Sequence, residues 1–151
     1  MECLFCGIVA GSVPGHRIYE DEAHIAFLDI YPASRGQTLV VPRAHRPSDV
    51  LGLPEDEFRE LMEASRRVAD RLRSALGCQR VALVAEGMEI DHAHVKLYPI
   101  HRIGRLVAEG TFDMNEYPGY LCTLHGERAA PDDLAAVAAA VRTDDPGAPP
   151  R

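Results

Sequence analysis

Polar and apolar side chains alternate along residues 92–98, whose sequence is HAHVKLY. Successive side chains of a β-strand point to opposite faces of the sheet, so this alternation predicts a strand with one face in the core. The core face would carry Ala93, Val95 and Leu97, and the other face His92, His94, Lys96 and Tyr98. A single histidine on a strand is usually an ordinary surface or core residue, but a row of two imidazoles and an ammonium group, which carry protons and donate hydrogen bonds, indicates a functional role.

The charge of the chain limits its partners. The 151 residues include 16 Lys and Arg against 23 Asp and Glu, a net charge of −7. Duplex nucleic acid binds to clustered positive charge, so we expect no such partner, whereas a small anion needs only a few local donors. No apolar run reaches the roughly 18 residues of a membrane span, and the N-terminus lacks the pattern of a secretory signal. We therefore expect a single-domain cytoplasmic protein with no membrane contact.

Four further short runs have the composition of strands. They are apolar or alternating segments bounded by turn residues, at positions 17–20, 24–29, 37–42 and 80–87. Pro42 ends the third run, because proline cannot donate to a strand ladder.

Two helices are predicted. Residues 54–76 have apolar side chains at helical spacing, with acidic residues after Pro54 and with Gly77 as a stop signal. A second helix is expected to begin at Pro131. Strands around one long helix favour an α+β fold with a mostly antiparallel sheet.

Three motifs occur in a fixed order along the chain, namely FLDI (27–30), GQTLVVPRAH (36–45) and HAHVK (92–96). In this combination the chain resembles the histidine triad (HIT) family, whose signature is His-φ-His-φ-His-φ-φ with φ apolar. The resemblance covers about residues 3–101 and includes the opening CLFCGIVAGSVPGHRIYEDE. It implies a five-stranded, mostly antiparallel sheet with one long helix and a C-terminal helix. The domain organisation would be a HIT-like nucleotide-binding domain (1–103), an extension packed on it (104–142) and a disordered tail (143–151).

The resemblance also implies a chemistry. In the family, the middle histidine attacks the α-phosphorus of a nucleoside phosphate and forms a nucleotidyl-histidine intermediate; that position is His94. The family's ribose carboxylate is Asp29 here, although a turn residue is the alternative interpretation. The family's base pocket corresponds to Leu4, Phe5, Ile8, Phe27, Ile30 and Leu39. Ordinary core packing is the alternative for each of these apolar residues.

The chain departs from the family pattern at the phosphate. The third triad histidine is Lys96, and the upstream histidine before the LVVP strand is Gln37; we expect both to contact phosphate. Ala85 stands at a position where the family has Asn, and the loop AEGMEIDH is short and lacks Gln and Ser. The favoured function is a hydrolase or transferase of the phosphoramidate or dinucleoside polyphosphate type. The alternative is a zinc-stabilised protein that binds a nucleotide or another phosphorylated metabolite with little or no catalysis.

A structural zinc site is also implied by the resemblance. Bacterial members of the family with an N-terminal C-x-x-C pair complete a Cys₂His₂ site with histidines at the positions of His45 and His92, here with Cys3 and Cys6. Two buried free thiols are the alternative. With zinc bound, the three polar side chains of this segment would have different roles: His92 would bind the metal, His94 would react with the substrate, and Lys96 would supply positive charge.

The remaining expectations concern single residues and assembly. We expect solvent-facing side chains at His16, His24, His101 and His125, and packing roles for Cys78 and Cys122. The YPGY turn at 117–120 would be a lid or a subunit contact. The family's smaller branches are homodimers that associate through the long helix and a sheet strand, so a homodimer is expected.

Overall fold

The computed structural model describes residues 3–101, 106–108, 111–112 and 121–143. Its helices are α1 (Leu4–Ala10), α2 (Glu55–Leu76) and α3 (Pro131–Thr143). Its strands are β1 (Arg17–Glu20), β2 (His24–Leu28), β3 (Thr38–Pro42), β4 (Arg80–Val84), β5 (Val95–Ile100), β6 (Leu106–Ala108) and β7 (Thr111–Phe112). A 3₁₀ turn spans Val50–Gly52.

Five strands form one sheet in the order β1-β2-β3-β5-β4, and each neighbouring pair is antiparallel. The α+β class and the five-stranded sheet are therefore confirmed. Strands β6 and β7 form a separate two-stranded sheet. The placement of β5 between β3 and β4 positions its side chains at the centre of the large sheet.

The two faces of the sheet are covered by different helices. On one face, β-strand residues such as Val40, Val95 and Leu97 pack against α2 and α3 in the main core. On the other face, Phe27 and Leu39 pack against Phe5 and further residues of α1 in a smaller cluster. Strand β2 is buried along its whole length because both faces are covered there.

Helix α2 follows its sequence signals closely. It begins at Glu55, one residue later than predicted, with Pro54 at the capping position. It ends at Leu76, where Gly77 adopts a left-handed conformation and its N–H donates to the carbonyl of Arg73 at 2.9 Å. Three acidic residues occupy the first turn, where the helix dipole favours negative charge.

The strand predicted at 92–98 begins later, at Val95. The backbone N–H of Ala93 donates to the carbonyl of Arg46 at 2.9 Å, so residues before Val95 bond to the loop after β3 instead of to the sheet ladder. The predicted alternation of faces nevertheless holds, since Ala93, Val95 and Leu97 lie in the main core.

Other boundaries also differ from the prediction. Strand β2 ends at Leu28, one residue before Asp29, and β4 ends at Val84 rather than at residue 87. Helix α1 was not predicted, because its seven residues form less than two full turns and carry little periodicity.

Two single-residue expectations were wrong. His24 is buried, because it begins strand β2, whose residues are all buried, and its ring lies 3.3 Å from the carboxylate of Asp21. Cys122 is exposed instead of packed. Cys78 is buried, as expected.

Helix α3 begins at Pro131, as predicted, and contributes Leu134, Val137 and Val141 to the main core. Of the tail predicted to be disordered, only Thr143 is described, and it ends α3; residues 144–151 and the YPGY turn lie outside the described residues. None of the described helices combines the length and the apolar character of a membrane span.

We predict that Leu72→Ala destabilises the protein by about 2–5 kcal/mol, because Leu72 is fully buried in α2 against the sheet. Leu51→Ala is the matched control, since Leu51 is 80% exposed and its truncation should change the free energy of unfolding by less than about 0.5 kcal/mol. Urea denaturation of both variants measures this difference. Equal effects of the two substitutions would contradict the packing described for α2.

Candidate active site and metal centre

Two thiols and two imidazoles converge beside α1. The Nδ1 atom of His92 lies 3.4 Å from Sγ of Cys3 and 3.5 Å from Sγ of Cys6. The Nδ1 atom of His45 lies 3.4 Å from Sγ of Cys6. The four ligand atoms all lie within 4.8 Å of one another. The structure therefore brings together the four residues that the resemblance assigned to a metal.

The dimensions of this Cys₂His₂ cluster fit a tetrahedral ion. Bonds of about 2.3 Å to sulfur and about 2.0–2.1 Å to nitrogen place neighbouring sulfur and nitrogen ligands of zinc about 3.5 Å apart. The Nε2 atom of His92 lies 2.9 Å from the carbonyl oxygen of Pro42. Because a carbonyl only accepts, Nε2 carries the proton and Nδ1 keeps its lone pair for a metal. Burial lowers the pKa of His92, which favours the neutral form that binds metals.

Local structure explains why these four side chains meet. Cys3 immediately precedes α1 and Cys6 lies in its first turn, so a spacing of three residues puts both thiols on one side of the helix. His45 follows the end of β3 and His92 precedes β5. Because β3 and β5 are neighbours in the sheet, the two imidazoles lie close together, with ring centroids 5.1 Å apart.

His94 is held in one orientation. It is buried, and its Nδ1 atom lies 2.7 Å from the carbonyl oxygen of His92. Because this carbonyl accepts a hydrogen bond from Nδ1–H, the lone pair of the neutral ring is on Nε2. Burial lowers the pKa of His94, and Phe5 packs edge-on against the ring at a centroid distance of 5.3 Å. A neutral imidazole with a fixed tautomer and a free lone pair is able to act as a nucleophile.

His94 and Lys96 line a cavity of about 220 Å³. The lining includes every residue that was predicted to contact ribose or base, namely Leu4, Phe5, Ile8, Phe27, Asp29, Ile30 and Leu39. The cavity is thus apolar along one wall and carries a carboxylate, an imidazole and an ammonium group elsewhere. This combination suits a ligand with a flat apolar part and a polar, anionic part.

Asp29 is fixed by two hydrogen bonds. The N–H of Tyr31 donates to Oδ1 at 2.8 Å, and Nε2 of Gln37 donates to Oδ2 at 2.7 Å. The amide oxygen of Gln37 in turn accepts from the N–H of Ala33 at 2.6 Å. Gln37 is not among the described residues that line the cavity of His94, so its predicted phosphate contact stays a prediction. Each carboxylate oxygen of Asp29 retains a free lone pair for another donor.

Lys96 is buried and forms an ion pair with Glu86, its Nζ donating to Oε1. Glu86 was not singled out from the sequence. It lies in the short loop between β4 and β5, and its reach to Lys96 depends on how that loop folds. The only sequence signal for this pair is a lysine at the family's histidine position with a carboxylate ten residues before it.

A second carboxylate of the same loop holds a histidine from the distant C-terminal segment. The Nε2 atom of His125 lies 2.9 and 3.1 Å from the two carboxylate oxygens of Glu89. Both residues line the cavity that contains His94. His125 was expected to face solvent; its side chain is half exposed, but the ring also contacts Tyr31 at a centroid distance of 6.2 Å. No sequence spacing links two residues 36 positions apart.

Comparison of the sequence with models of known protein families gives a match of the HIT domain to residues 10–105. The chain belongs to the HIT family. Its predicted membership is thus confirmed.

Individual relatives agree with this membership. An uncharacterized HIT-like protein of Mycobacterium tuberculosis is 40% identical over 116 residues, which are 73% of this chain and 80% of that protein. The crystal structure of a hypothetical histidine triad nucleotide-binding protein from Sulfolobus tokodaii matches with a TM-score of 0.72 and 26% identity, over 93% of this chain and 90% of that one. A zinc-bound histidine triad family protein from Mycobacterium smegmatis matches with a TM-score of 0.67 and 27% identity, over 95% and 92% of the two chains.

Proposed function

We propose that this HIT protein is a nucleotide-binding hydrolase or transferase that acts at the α-phosphorus of a nucleoside phosphate derivative through an intermediate on His94. The observation that carries the proposal is the orientation of His94. Its Nδ1–H is bonded to the carbonyl of His92, which leaves Nε2 free in a ring that lines the cavity. Covalent catalysis by an imidazole requires such an available lone pair.

The proposed binding mode divides the cavity between base and ribose. The apolar residues Phe5, Ile8 and Phe27 would contact the base, while Asp29 would accept hydrogen bonds from the ribose hydroxyls. The two donors already on Asp29, from Tyr31 and Gln37, hold the carboxylate in place before a ligand binds. Gln37 would then act as a positioning residue for Asp29, and the second N–H of its amide would remain for the predicted contact with phosphate.

The reaction proceeds in two displacements. Nε2 of His94 attacks phosphorus, the bond between phosphorus and Nε2 forms, and the bond to the leaving group breaks. Water or another acceptor then attacks the same phosphorus, and the electrons of the broken bond return to Nε2. Lys96 would stabilise the negative charge on the phosphoryl oxygens, which is the dominant need in phosphoryl transfer.

A binding protein without turnover is the second candidate, and a specific contact favours it. Lys96 is already paired with Glu86, so a phosphate must compete with a carboxylate for the ammonium group. The replacement of the family's Asn by Ala85 removes a further polar contact. Both candidates require nucleotide binding that depends on Asp29, and they differ in whether His94 becomes modified.

We propose zinc as the metal of the Cys₂His₂ cluster, in a structural role. Four protein ligands would close the coordination sphere, as in other structural zinc sites, and no position would remain for substrate. The metal would tie Cys3 and Cys6 of the α1 region to His45 and His92 beside the sheet. Two thiolates balance the charge of the ion and need a reducing compartment, which supports a cytoplasmic location.

A homodimer remains part of the proposal. Strand β4 is at the edge of the large sheet, and Leu83 on it is 48% exposed. An exposed edge strand with an apolar side chain offers the backbone groups and the surface on which a second copy can pair. This supports the strand-mediated association that the family resemblance implies.

Incubation with adenosine and guanosine 5′-phosphoramidates and dinucleoside polyphosphates, followed by assay of nucleoside monophosphate, tests the function. We expect release by the wild type, a loss of about 10³-fold or more in His94→Gln, and about tenfold weaker nucleotide binding in Asp29→Asn. His101→Gln is the control, because that ring bonds to the carbonyl of Arg35 and is not among the described cavity residues.

The outcomes separate the candidates. Nucleotide binding that depends on Asp29, without release from any substrate, would favour the binding protein. Binding of phosphorylated compounds that is insensitive to Asp29→Asn would indicate a different phosphometabolite. Release that persists in His94→Gln would remove His94 as the nucleophile.

Metal analysis of protein purified without chelator tests the zinc site. We expect about one zinc per chain. Cys3→Ser should lose this metal and also lower the Tm by about 5 °C or more, since each loss of about 1 kcal/mol of stability lowers the Tm of a domain of this size by roughly 2–4 °C. Cys122→Ser is the matched control, since Cys122 is exposed and outside the cluster. Absence of metal from the wild type would exclude the site.

A further inference from the structure

We propose that His125, held by Glu89, is the general acid–base residue of this site. The proposal rests on the proposed function, and it assigns to the C-terminal extension the proton transfer that Lys96 is unsuited to perform. A lysine ammonium has three donors and no acceptor, and that of Lys96 is bonded to Glu86. Among the described residues lining the cavity, His94 and His125 are the only imidazoles.

The contact between His125 and Glu89 has the form that acid–base histidines need. Nε2 of His125 is 2.9 and 3.1 Å from the carboxylate oxygens, which can only accept, so Nε2 carries a proton in either protonation state of the ring. Nδ1 is then the atom that gains and loses a proton. A carboxylate on one ring nitrogen fixes the orientation of the imidazole, as in catalytic triads.

The segment that carries His125 is attached to the wall of the cavity. The N–H of Gly126 donates to the carbonyl of Tyr31 at 3.1 Å, and the N–H of Ala129 donates to the carbonyl of Ile30 at 2.9 Å. A Cβ atom at Gly126 would collide with the carbonyl oxygen of Pro32, so the chain passes too close for any other residue. This attachment places His125 beside the same loop that provides Asp29.

Glu89 shows an independent sign of functional constraint. Its φ angle of 75° lies in the left-handed region, and it is the only residue other than glycine with a positive φ in the described part of the chain. Such a conformation is strained for a residue with a side chain and is concentrated at functional sites. A contact this exposed contributes little to stability, so the hydrogen bond to His125 does not by itself explain the strain.

The proton balance of the reaction defines the role. When Nε2 of His94 attacks a phosphoramidate, the phosphorus–nitrogen bond breaks and its electron pair goes to the amine nitrogen, which takes the proton from Nδ1 of His125. Water then attacks the phosphorus of the intermediate and gives a proton to Nδ1 of His125. The bond between phosphorus and Nε2 breaks, and both histidines return to their starting states.

Dependence on the leaving group tests this role. The substrates are N-propyl phosphoramidates and p-nitrophenyl esters of adenosine and guanosine 5′-monophosphate. The amine leaves only after protonation, whereas p-nitrophenolate is a stable anion and leaves without a proton. We expect His125→Gln to slow turnover of the phosphoramidate by about 10²–10⁴-fold, and the first displacement on the ester, measured as the nitrophenolate burst, by less than about threefold.

Two further variants make the result specific. Glu89→Gln retains the imidazole but removes the carboxylate, so it should slow the phosphoramidate reaction in the same direction by a smaller factor. His101→Gln carries the same change outside the cavity and should leave both reactions unchanged. Equal Tm values show that the variants are folded.

The possible outcomes distinguish the inference from the proposed function. A wild type that turns over neither substrate would remove the function and the inference together. An active wild type whose His125→Gln variant slows both leaving groups equally, or neither, would overturn the role of His125 alone. Selective loss with the amine leaving group would support it.

Discussion

His92 connects the metal cluster to the proposed nucleophile. One ring nitrogen donates to the carbonyl of Pro42 at the end of β3, and the other faces the thiols of Cys3 and Cys6. The backbone carbonyl of the same residue accepts a hydrogen bond from Nδ1–H of His94. Any displacement of His92 therefore changes the orientation of His94, because the ring and the carbonyl belong to one short segment. A metal on the cluster would fix this segment against α1.

The same connection forms the wall of the cavity. Phe5 lies in α1 between the two cysteines, and its ring packs edge-on against His92, His94 and Phe27. Helix α1 has only seven residues and is too short to be stable alone, so its position depends on these contacts and on the cluster. A metal on the cluster would thereby help to shape the apolar wall that is proposed to receive a base.

The sequence was informative where one local rule determines the structure. The stop at Gly77, the helix start at Pro131 and the alternation of Ala93, Val95 and Leu97 are set by neighbouring residues, and all three were predicted correctly. The Cys₂His₂ cluster came from family positions, which the spacing of Cys3 and Cys6 alone does not determine. The burial of His24 and the pairing of Glu86 with Lys96 depend on tertiary contacts, which no periodic pattern in the sequence predicts. The same holds for Glu89 and His125, since loop folding brings them together.

The central claim is that a nucleotide becomes attached to His94, and direct observation of that intermediate tests it. A single-turnover reaction of the wild type with excess enzyme, quenched in base, preserves an acid-labile phosphorus–nitrogen bond for intact-mass and peptide analysis. We predict a mass increase of one nucleoside monophosphate residue on the peptide that contains His94, absent after brief acid treatment. Product release without an adduct, or an adduct on another residue, would contradict the account.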